Sequence, residues 1–372
     1  MSSSSRNTLI DAIKGLACAT IVFHHLAFYG PMSDAALPLM PAVVDWFSAY
    51  GRMAVQVFLV LGGYLAAASL APAGVARFDS ASQQIGRRFV RLVVPYAVAL
   101  VGAVLAAAAV RPWMDHPSVP ADPGLSQLVA NALLVQDIVG EEALSAGVWY
   151  VAIDFQLFAV AALLFAAVRL WPGAQAQHKA RAAQVLVVAG TAASLLVFNR
   201  QPGLDMWAVY FWGAYGLGMM ACWAVRSPRP GLWLAAMAFL GGMSLAVDFR
   251  GRIALALCTA IALVFLLREP APAWAAQGGE RLQRLGRMSY SVFLVHFPVC
   301  LLVNALVSHW WPGEPLLNAL GMAGAFLLSL MAGRLLYQRV ERHVPSWTQA
   351  LRWQAGLVGT GLAVALAGAL LG

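Results

Sequence analysis

Long apolar runs alternate with short polar connections along almost the whole chain. A helix needs about 20 apolar residues to cross the hydrocarbon layer of a membrane, and several of these runs are shorter, so their ends are approximate. The pattern predicts an all-α polytopic membrane protein, a bundle of about 10–11 transmembrane helices. The run 125–136 is too short to cross, and we interpret it as an interfacial or re-entrant helix. The eleven longer runs lie near residues 16–29, 54–71, 92–110, 147–168, 183–198, 206–225, 231–247, 253–267, 288–308, 316–337 and 355–371.

The composition agrees with this pattern, because 61% of the 372 residues are hydrophobic and only 11% are charged. Soluble domains carry about 25% charged residues, so lipid must be the solvent for much of this surface. No linker divides the chain, and no soluble catalytic domain stands at either end. Any chemistry must therefore be done by the bundle and its loops. Gly62 and Gly63 lack the strand–helix context of a nucleotide-binding loop, which argues against Rossmann and P-loop enzymes.

The basic residues predict the orientation of the bundle, since loops rich in Lys and Arg stay in the cytoplasm. With a cytoplasmic N-terminus and alternating loops, 19 of the 24 Lys and Arg residues fall on the inner side. This distribution explains the net charge of +8 without nucleic acid as a partner. The five on the outer side are Arg52, Arg111, Arg200, Arg250 and Arg252.

The first apolar run carries an ionisable stripe. Lys14 and His25 are eleven positions apart, so at 3.6 residues per turn they share one helix face, about 16 Å apart along the axis. Asp11 lies three residues before Lys14 on the neighbouring row, and His24 precedes His25. The stripe could be an interfacial ion pair plus a buried structural histidine. Charged groups inside a membrane are costly, however, and the alignment favours a functional face.

Two later segments also place charge at or inside a predicted span. Arg88 and Arg91 lie one turn apart at a cytoplasmic helix start, where paired guanidiniums suit phosphate groups. Simple positive-inside anchoring explains them equally well. Asp154, with Gln156, lies about one turn inside an outer span end. An intramembrane Asp favours function, and a hydrogen bond to a neighbouring helix is the alternative.

A further segment combines Ser289 with His296, which lie seven residues apart on one helix face. His296 precedes Pro298 by two residues, and a proline frees a backbone carbonyl that this histidine could bind. The structural and functional interpretations of His296 therefore remain equal. The charged group at 334–343, which includes Glu341, is interpreted as an interfacial anchor. The four cysteines lie in apolar runs, and no spacing suggests a metal site or a disulfide.

Ordered motifs across residues 8–343 resemble the acyltransferase-3 family, integral membrane O-acyltransferases that act on cell-envelope glycans. Three positions depart from the family pattern: Lys14 stands where Arg is commoner, Gly62 where Ser is usual, and Asp154 where Glu is usual. The motifs are Ile10-Asp11 to Lys14 with His25, Val57 to Leu65, Arg88 and Arg91 with Pro95-Tyr96, Val148-Trp149-Tyr150 with Asp154 and Phe158, Leu285-Gly286 with Ser289-Tyr290 and His296-Phe297-Pro298, and Glu341.

The resemblance implies a membrane-only form, with an acyltransferase domain over residues 1–345 and an additional apolar helix over 346–372. It implies acyl-CoA, acetyl-CoA by the family's default, as the donor substrate with no tightly bound cofactor and no metal. The acceptor would be a glycan or a lipid-linked glycan, and the location the bacterial cytoplasmic (inner) membrane.

The resemblance also assigns roles to residues. His25 would act as the catalytic base, directly or through an acyl-histidine, and Asp154 would orient the imidazole or the acceptor. A proton-coupled transporter or flippase of a glycolipid or acyl group is the alternative, because intramembrane His and Asp also suit proton relays. The substrate- and donor-binding candidates are Lys14, Arg88, Arg91, His24, Asp11, Trp149, Ser289, Tyr290 and His296.

Overall fold

A computed structural model describes residues 3–268 and 279–371, and within these ranges every regular element is helical. The helices are α1 Ser3–Phe28, α2 Pro31–Ala36, α3 Pro41–Tyr50, α4 Val55–Leu70, α5 Ala81–Val110, α6 Leu125–Ala132, α7 Gln136–Val139, α8 Trp149–Arg169, α9 Ala176–Leu196, α10 Ala208–Arg226, α11 Pro230–Val247, α12 Gly251–Arg268, α13 Glu280–Arg287, α14 Ser289–Trp310, α15 Pro315–Leu336 and α16 Trp347–Leu371. Short 3₁₀ turns lie at Leu37–Leu39, Gly51–Ala54, Phe198–Arg200 and Pro202–Leu204, and a π-helical turn lies at Tyr337–Glu341.

Eleven helical segments of the described chain are long and apolar enough to cross a membrane, and each overlaps one of the predicted runs. The all-α polytopic fold is therefore confirmed, and the chain is a multi-pass membrane protein. The segments are Thr8–Phe28, Pro41–Leu70, Ala81–Val110, Trp149–Arg169, Ala176–Arg200, Ala208–Arg226, Pro230–Val247, Gly251–Arg268, Ser289–Trp310, Pro315–Glu341 and Trp347–Leu370.

Hydrophobicity underestimated the length of several helices. The second segment begins at Pro41, because the 3₁₀ turn Gly51–Ala54 continues α3 into α4 instead of ending it. The third begins at Ala81, since its first turns are polar but still helical. The short run near 125 forms α6, which ends at Ala132 before a single further turn, α7.

The chain forms two compact units. Unit 1 comprises the described residues of Met1–Ile13, Val55–Phe89 and Ala152–Gln283, and unit 2 those of Lys14–Ala54, Val90–Val151 and Arg284–Gly372. Helices α1, α5, α8 and α13 contribute residues to both. Each unit has its own packing and its own polar centre.

Unit 1 is built around α10, which packs against α4, α9, α11 and α12. Two glycines bring α10 and α4 together at backbone distance. A side chain at Gly63 would overlap the Tyr215 carbonyl, and one at Gly218 would overlap the Val60 carbonyl. Small residues of this kind drive close helix packing in membranes, where lipid removes most of the hydrophobic advantage of burial.

Unit 2 is built around the antiparallel pair α14 and α15, with α2 against α15 and α6 against α16. The pair approaches closely at Gly333, where a side chain would overlap Val292. A buried amide supports the loop after α6: Asn131 donates to the Glu142 carbonyl (2.9 Å) and accepts from the Leu144 amide (3.1 Å). These contacts fix the segment that leads into α8.

Candidate functional site

The polar centre of unit 2 is a pair of buried histidines on two helices. His25 lies on α1 and His296 on α14, and they are 6% and 0% exposed. The His25 Nδ1 and His296 Nε2 atoms are 2.7 Å apart, and His296 Nδ1 lies 2.6 Å from the Phe293 carbonyl oxygen. The two residues are 271 positions apart in sequence, so only the fold brings them together.

This chain of hydrogen bonds fixes the protons of both imidazoles. A carbonyl oxygen can only accept, so His296 Nδ1 carries a hydrogen and donates it to Phe293. In a neutral imidazole the other nitrogen is then an acceptor, so His296 Nε2 accepts from His25 Nδ1. The lone pair of His25 therefore resides on Nε2, to which the described chain supplies no hydrogen bond. His25 is thus arranged as a base.

Small and aromatic residues surround the His25 ring. Tyr29 meets it edge-on, with ring centroids 5.2 Å apart. A side chain at Gly147, whose φ is +83°, would lie 3.2 Å from His25 Cε1 and 3.4 Å from the Phe293 ring. Glycine is suited to both this left-handed backbone and the narrow space beside the imidazole. Tyr29 lies just after the membrane-spanning segment Thr8–Phe28. Burial raises the pKa of its phenol, and the Arg52 charge lowers this pKa by a smaller amount.

His24 has a different environment from its neighbour. Its Nδ1 lies 2.9 Å from the Phe47 carbonyl oxygen, to which it donates. Gly51 packs so closely that a side chain there would lie 2.7 Å from His24 Cβ. His24 thus joins α1 to the turn between α3 and α4, and its predicted substrate contact stays a prediction.

At the N-terminus of α14, a carboxylate caps the helix. Glu341, at the end of the π-helical turn, accepts hydrogen bonds from the Ser291 amide (3.1 Å) and hydroxyl (2.5 Å). A carboxylate at this position compensates the helix dipole and one unsatisfied amide. The charges of Arg91 and Lys14 also act on Glu341. The prediction of a simple interfacial anchor missed this role, although the motif pattern had marked the position.

Other candidates of unit 2 have structural contacts. The Tyr290 hydroxyl donates to the Leu92 carbonyl (2.9 Å), which joins α14 to α5. The Ser289 carbonyl accepts from the Cys18 thiol (3.6 Å), which joins α14 to α1. Trp149 begins α8 and lies beside Tyr150, with ring centroids 6.3 Å apart. Their predicted substrate contacts are not tested by these interactions.

The polar centre of unit 1 is an ion pair. Arg88 Nη2 donates to Asp154 Oδ2, and the guanidinium lies 5.3 Å from the centroid of the Phe158 ring. Gly62 lies beside the pair, since a side chain there would lie 3.6 Å from Asp154 Oδ1 and 3.2 Å from the Tyr215 ring. The serine that is usual at this position in the acyltransferase-3 pattern would occupy this space.

The structure gives Asp154 and His25 partners that the sequence did not predict. Asp154, predicted to orient the His25 imidazole or the acceptor, is paired with Arg88, and His296 is the residue that orients His25. Arg88 and Arg91 lie three residues apart on the continuous helix α5, and their predicted phosphate-binding fork stays a prediction. Asp11 lies half-buried on α1. The catalytic and binding roles of these residues remain predictions.

Gln156 is a structural residue. Its side-chain amide donates to the Met206 carbonyl (3.1 Å) and accepts from the Ala208 amide (3.0 Å), so it caps the start of α10. A hydrogen bond to a neighbouring helix was the alternative to a functional role for this segment. For Gln156 this alternative is correct.

Comparison with known proteins gives one match. No curated protein and no solved structure matches the chain. The sequence model of the acyltransferase-3 family, described as an acyltransferase domain, matches residues 7–334. The matched region contains both histidines of the buried pair, His25 and His296, and both members of the Arg88–Asp154 ion pair. The chain therefore belongs to the acyltransferase-3 family and is a membrane acyltransferase.

Proposed function

We propose that this enzyme moves an acyl group, acetyl in the simplest case, from cytoplasmic acyl-CoA to a hydroxyl of an envelope glycan or a related acceptor in the bacterial inner membrane. The observation that carries the proposal is the hydrogen-bond chain from Phe293 through His296 to His25. It leaves a basic lone pair at His25 Nε2, and acyl transfer to a hydroxyl requires such a base.

In the proposed reaction, His25 Nε2 takes the proton of the acceptor hydroxyl while the oxygen attacks the thioester carbonyl carbon. A new C–O ester bond forms, the C–S bond breaks, and CoA leaves as a thiolate that receives the proton from the imidazolium. In the acyl-histidine variant, Nε2 itself attacks the carbonyl carbon, the C–S bond breaks and CoA leaves as the thiolate. The acceptor hydroxyl then attacks the acyl carbon, the imidazole leaves, and the hydroxyl proton passes to the thiolate.

His296 supports this chemistry without a buried resting charge. A carboxylate in its place would have to be desolvated inside the membrane, at considerable cost. A neutral imidazole avoids this cost and still accepts the Nδ1–H of His25, so it keeps the productive tautomer. When His25 is protonated, the same hydrogen bond stabilises the positive charge.

The proposed donor site includes cationic residues near the predicted cytoplasmic end. The charges of Lys14 and Arg91 both act on Glu341, so positive charge is concentrated there, and we propose that it also attracts the phosphates of the donor. Lys14 lies about 16 Å from His25 along α1, so an extended pantetheine arm would have to bridge that distance. Arg88 is proposed as a further donor-binding residue from its motif position, with Asp154 as its partner.

The proposal is tested with purified enzyme, labelled acetyl-CoA and isolated envelope glycan. His25→Ala should lower transfer by about 100-fold or more, the usual contribution of a positioned base. His178→Ala, which removes an exposed histidine of α9, is the matched control and should retain activity. Undiminished transfer by His25→Ala would refute the proposed role.

The same preparation distinguishes the alternatives. A labelled protein adduct on a histidine, trapped without acceptor, would indicate the acyl-histidine route. Movement of a glycolipid in proteoliposomes without consumption of acyl-CoA would instead support the transporter.

A further inference from the structure

Unit 1 contains an open cavity of about 850 Å³ at the end of α10 that the charge distribution predicts to be cytoplasmic. Three arginines and two tryptophans line it, together with a glutamine, and none of the described lining residues is acidic. The lining residues used below are Arg181, Arg226, Arg229, Trp223, Trp233 and Leu232.

Two tryptophans of the cavity lining, Trp223 and Trp233, are held by contacts with the rest of the unit. Trp223 is buried, and its indole Nε1 donates to the Ala71 carbonyl at 2.9 Å. Trp233 packs against it, with ring centroids 5.5 Å apart and planes inclined by 48°. Tryptophan is enriched at the headgroup level of membranes, because its ring is apolar and its N–H is polar.

The rim of the cavity is basic. Arg226, on the last turn of α10, donates to the Cys222 carbonyl (3.3 Å) and to the Cys222 sulfur. All three arginines are exposed. In the described part of the chain none of these three guanidiniums forms an ion pair. Their charge is therefore available to an anionic ligand, and guanidinium groups suit the geometry of phosphate.

The sides of the cavity continue into apolar surface. Arg181 and Val185 are four residues apart on α9, and Leu232 and Phe239 are seven apart on α11, so each pair shares a helix face. Val185, Leu232 and Phe239 are 65%, 69% and 66% exposed. A ligand with a phosphate in the cavity could thus lay hydrocarbon chains along α9 and α11.

We propose that this cavity binds the phosphate headgroup of an anionic phospholipid, separately from the acyl-transfer site. The combination carries the assignment: three arginines that form no ion pair within the described chain, two tryptophans, and a position at the ends of membrane-spanning helices. The lining residues lie where the spanning helices α9 and α11 begin and α10 ends, which is the level of lipid headgroups, and this position favours a phospholipid over a soluble phosphate compound such as a nucleotide.

The test uses full-length enzyme in neutral detergent and measures lipid binding by native mass spectrometry. Phosphatidylglycerol should bind at least about tenfold more tightly than phosphatidylcholine with the same chains, since charge-assisted hydrogen bonds are the strong ones. The double variant Arg226→Gln/Arg229→Gln should lose this preference. Arg77→Gln, an exposed arginine of the same unit outside the cavity, should keep it.

The preference of the wild-type enzyme for phosphatidylglycerol over phosphatidylcholine is measured without any variant, so it does not depend on whether a variant folds. The absence of this preference would overturn the proposal. An equal loss in Arg77→Gln would also overturn it, since it would indicate unspecific charge attraction. Coenzyme A forms a separate arm of the experiment. If it displaces phosphatidylglycerol and the double variant no longer binds it, the cavity is a nucleotide site and the lipid assignment is wrong.

Discussion

The Arg88–Asp154 pair of unit 1 and the His25–His296 pair of unit 2 place polar groups in membrane segments in two different ways. Arg88 and Asp154 carry opposite charges and neutralise each other. His25 and His296 are joined by one hydrogen bond that can form with both rings neutral, and the acceptor nitrogen of His25 receives no hydrogen bond within the described chain. The first pair is closed, whereas the second is open at one end.

These two arrangements correspond to two reasons why a protein retains a polar residue in a membrane despite the free-energy cost of burying it. A closed pair can stabilise a fold, because each charge is already balanced by its partner before any ligand binds. An open pair stabilises the fold less, because one nitrogen lacks a partner, yet that nitrogen can take up a proton at once. On this comparison we infer that unit 2 contains the proposed base, whereas the ion pair of unit 1 stabilises its fold and holds Arg88 in place for its proposed contact with the donor.

The largest expected effect comes from opening the closed pair. Arg88→Gln leaves the Asp154 carboxylate buried without its cation, which should lower the free energy of unfolding by about 3 kcal/mol. This is the lower end of the range for buried pairs, because the Arg88 side chain is 34% exposed. Thermal or denaturant unfolding in detergent measures the loss.

Arg169→Gln is the matched control for Arg88→Gln. Arg169 pairs with Asp79 in the same unit, but the Asp79 side chain is fully exposed, so the loss of stability should be much smaller than for Arg88→Gln. The affinity for acyl-CoA is measured on both variants. Unchanged stability of Arg88→Gln combined with weaker donor binding would contradict the closed-pair interpretation and support a donor role instead.

An intermediate effect is expected from changing the partner of His25. His296→Leu removes the acceptor of the Nδ1–H, which releases the His25 tautomer and should lower kcat about 30-fold. His296→Gln retains an oxygen that can accept this hydrogen, so it should recover part of the rate. Steady-state kinetics with a fixed acceptor measures both, and the KM for the donor should hardly change.

A purely structural role of His296 would give another result. Gln and Leu would then lower activity in proportion to the amount of folded protein, with no advantage of Gln at equal stability. That outcome would mean that His25 does not depend on the hydrogen bond for its tautomer.

The smallest effect is expected at Gly147, beside the open end of the pair. Gly147→Ala should lower kcat about fivefold, because the new methyl group would press on His25 Cε1 at 3.2 Å. Gly140→Ala is the control: its φ of +77° is similarly strained for alanine, at about 1 kcal/mol, but nothing lies within 4 Å of the added atom. Equal kcat values for the two variants would show that the contact with His25 is unimportant.

The fold was largely predictable from the sequence, because the membrane requires each span to be helical and apolar. All eleven runs became helical segments. Their ends were less predictable, since hydropathy does not register polar first turns such as those of α5, nor the 3₁₀ turn that joins α3 to α4. The resemblance to acyltransferase-3 enzymes was confirmed over residues 7–334.

The pairing of residues was much less predictable. Helical periodicity placed Lys14 and His25 on one face of α1, but it contains no information about the neighbouring helix. His296 is 271 residues from His25, and Arg88 is 66 residues from Asp154. Gly147 and the capping role of Glu341 were missed for the same reason, since each depends on a residue from a distant segment.

The close approach of α4 and α10 at Gly63 and Gly218 also bears on how the enzyme is made. These glycines are about 150 residues apart in the chain, so at synthesis rates of about 5–20 residues per second α4 emerges many seconds before α10. During that interval the glycine face of α4 has not yet met its partner α10. Unit 1 can close only once α10 has been inserted, which sets an order for the assembly of this protein at the translocation machinery.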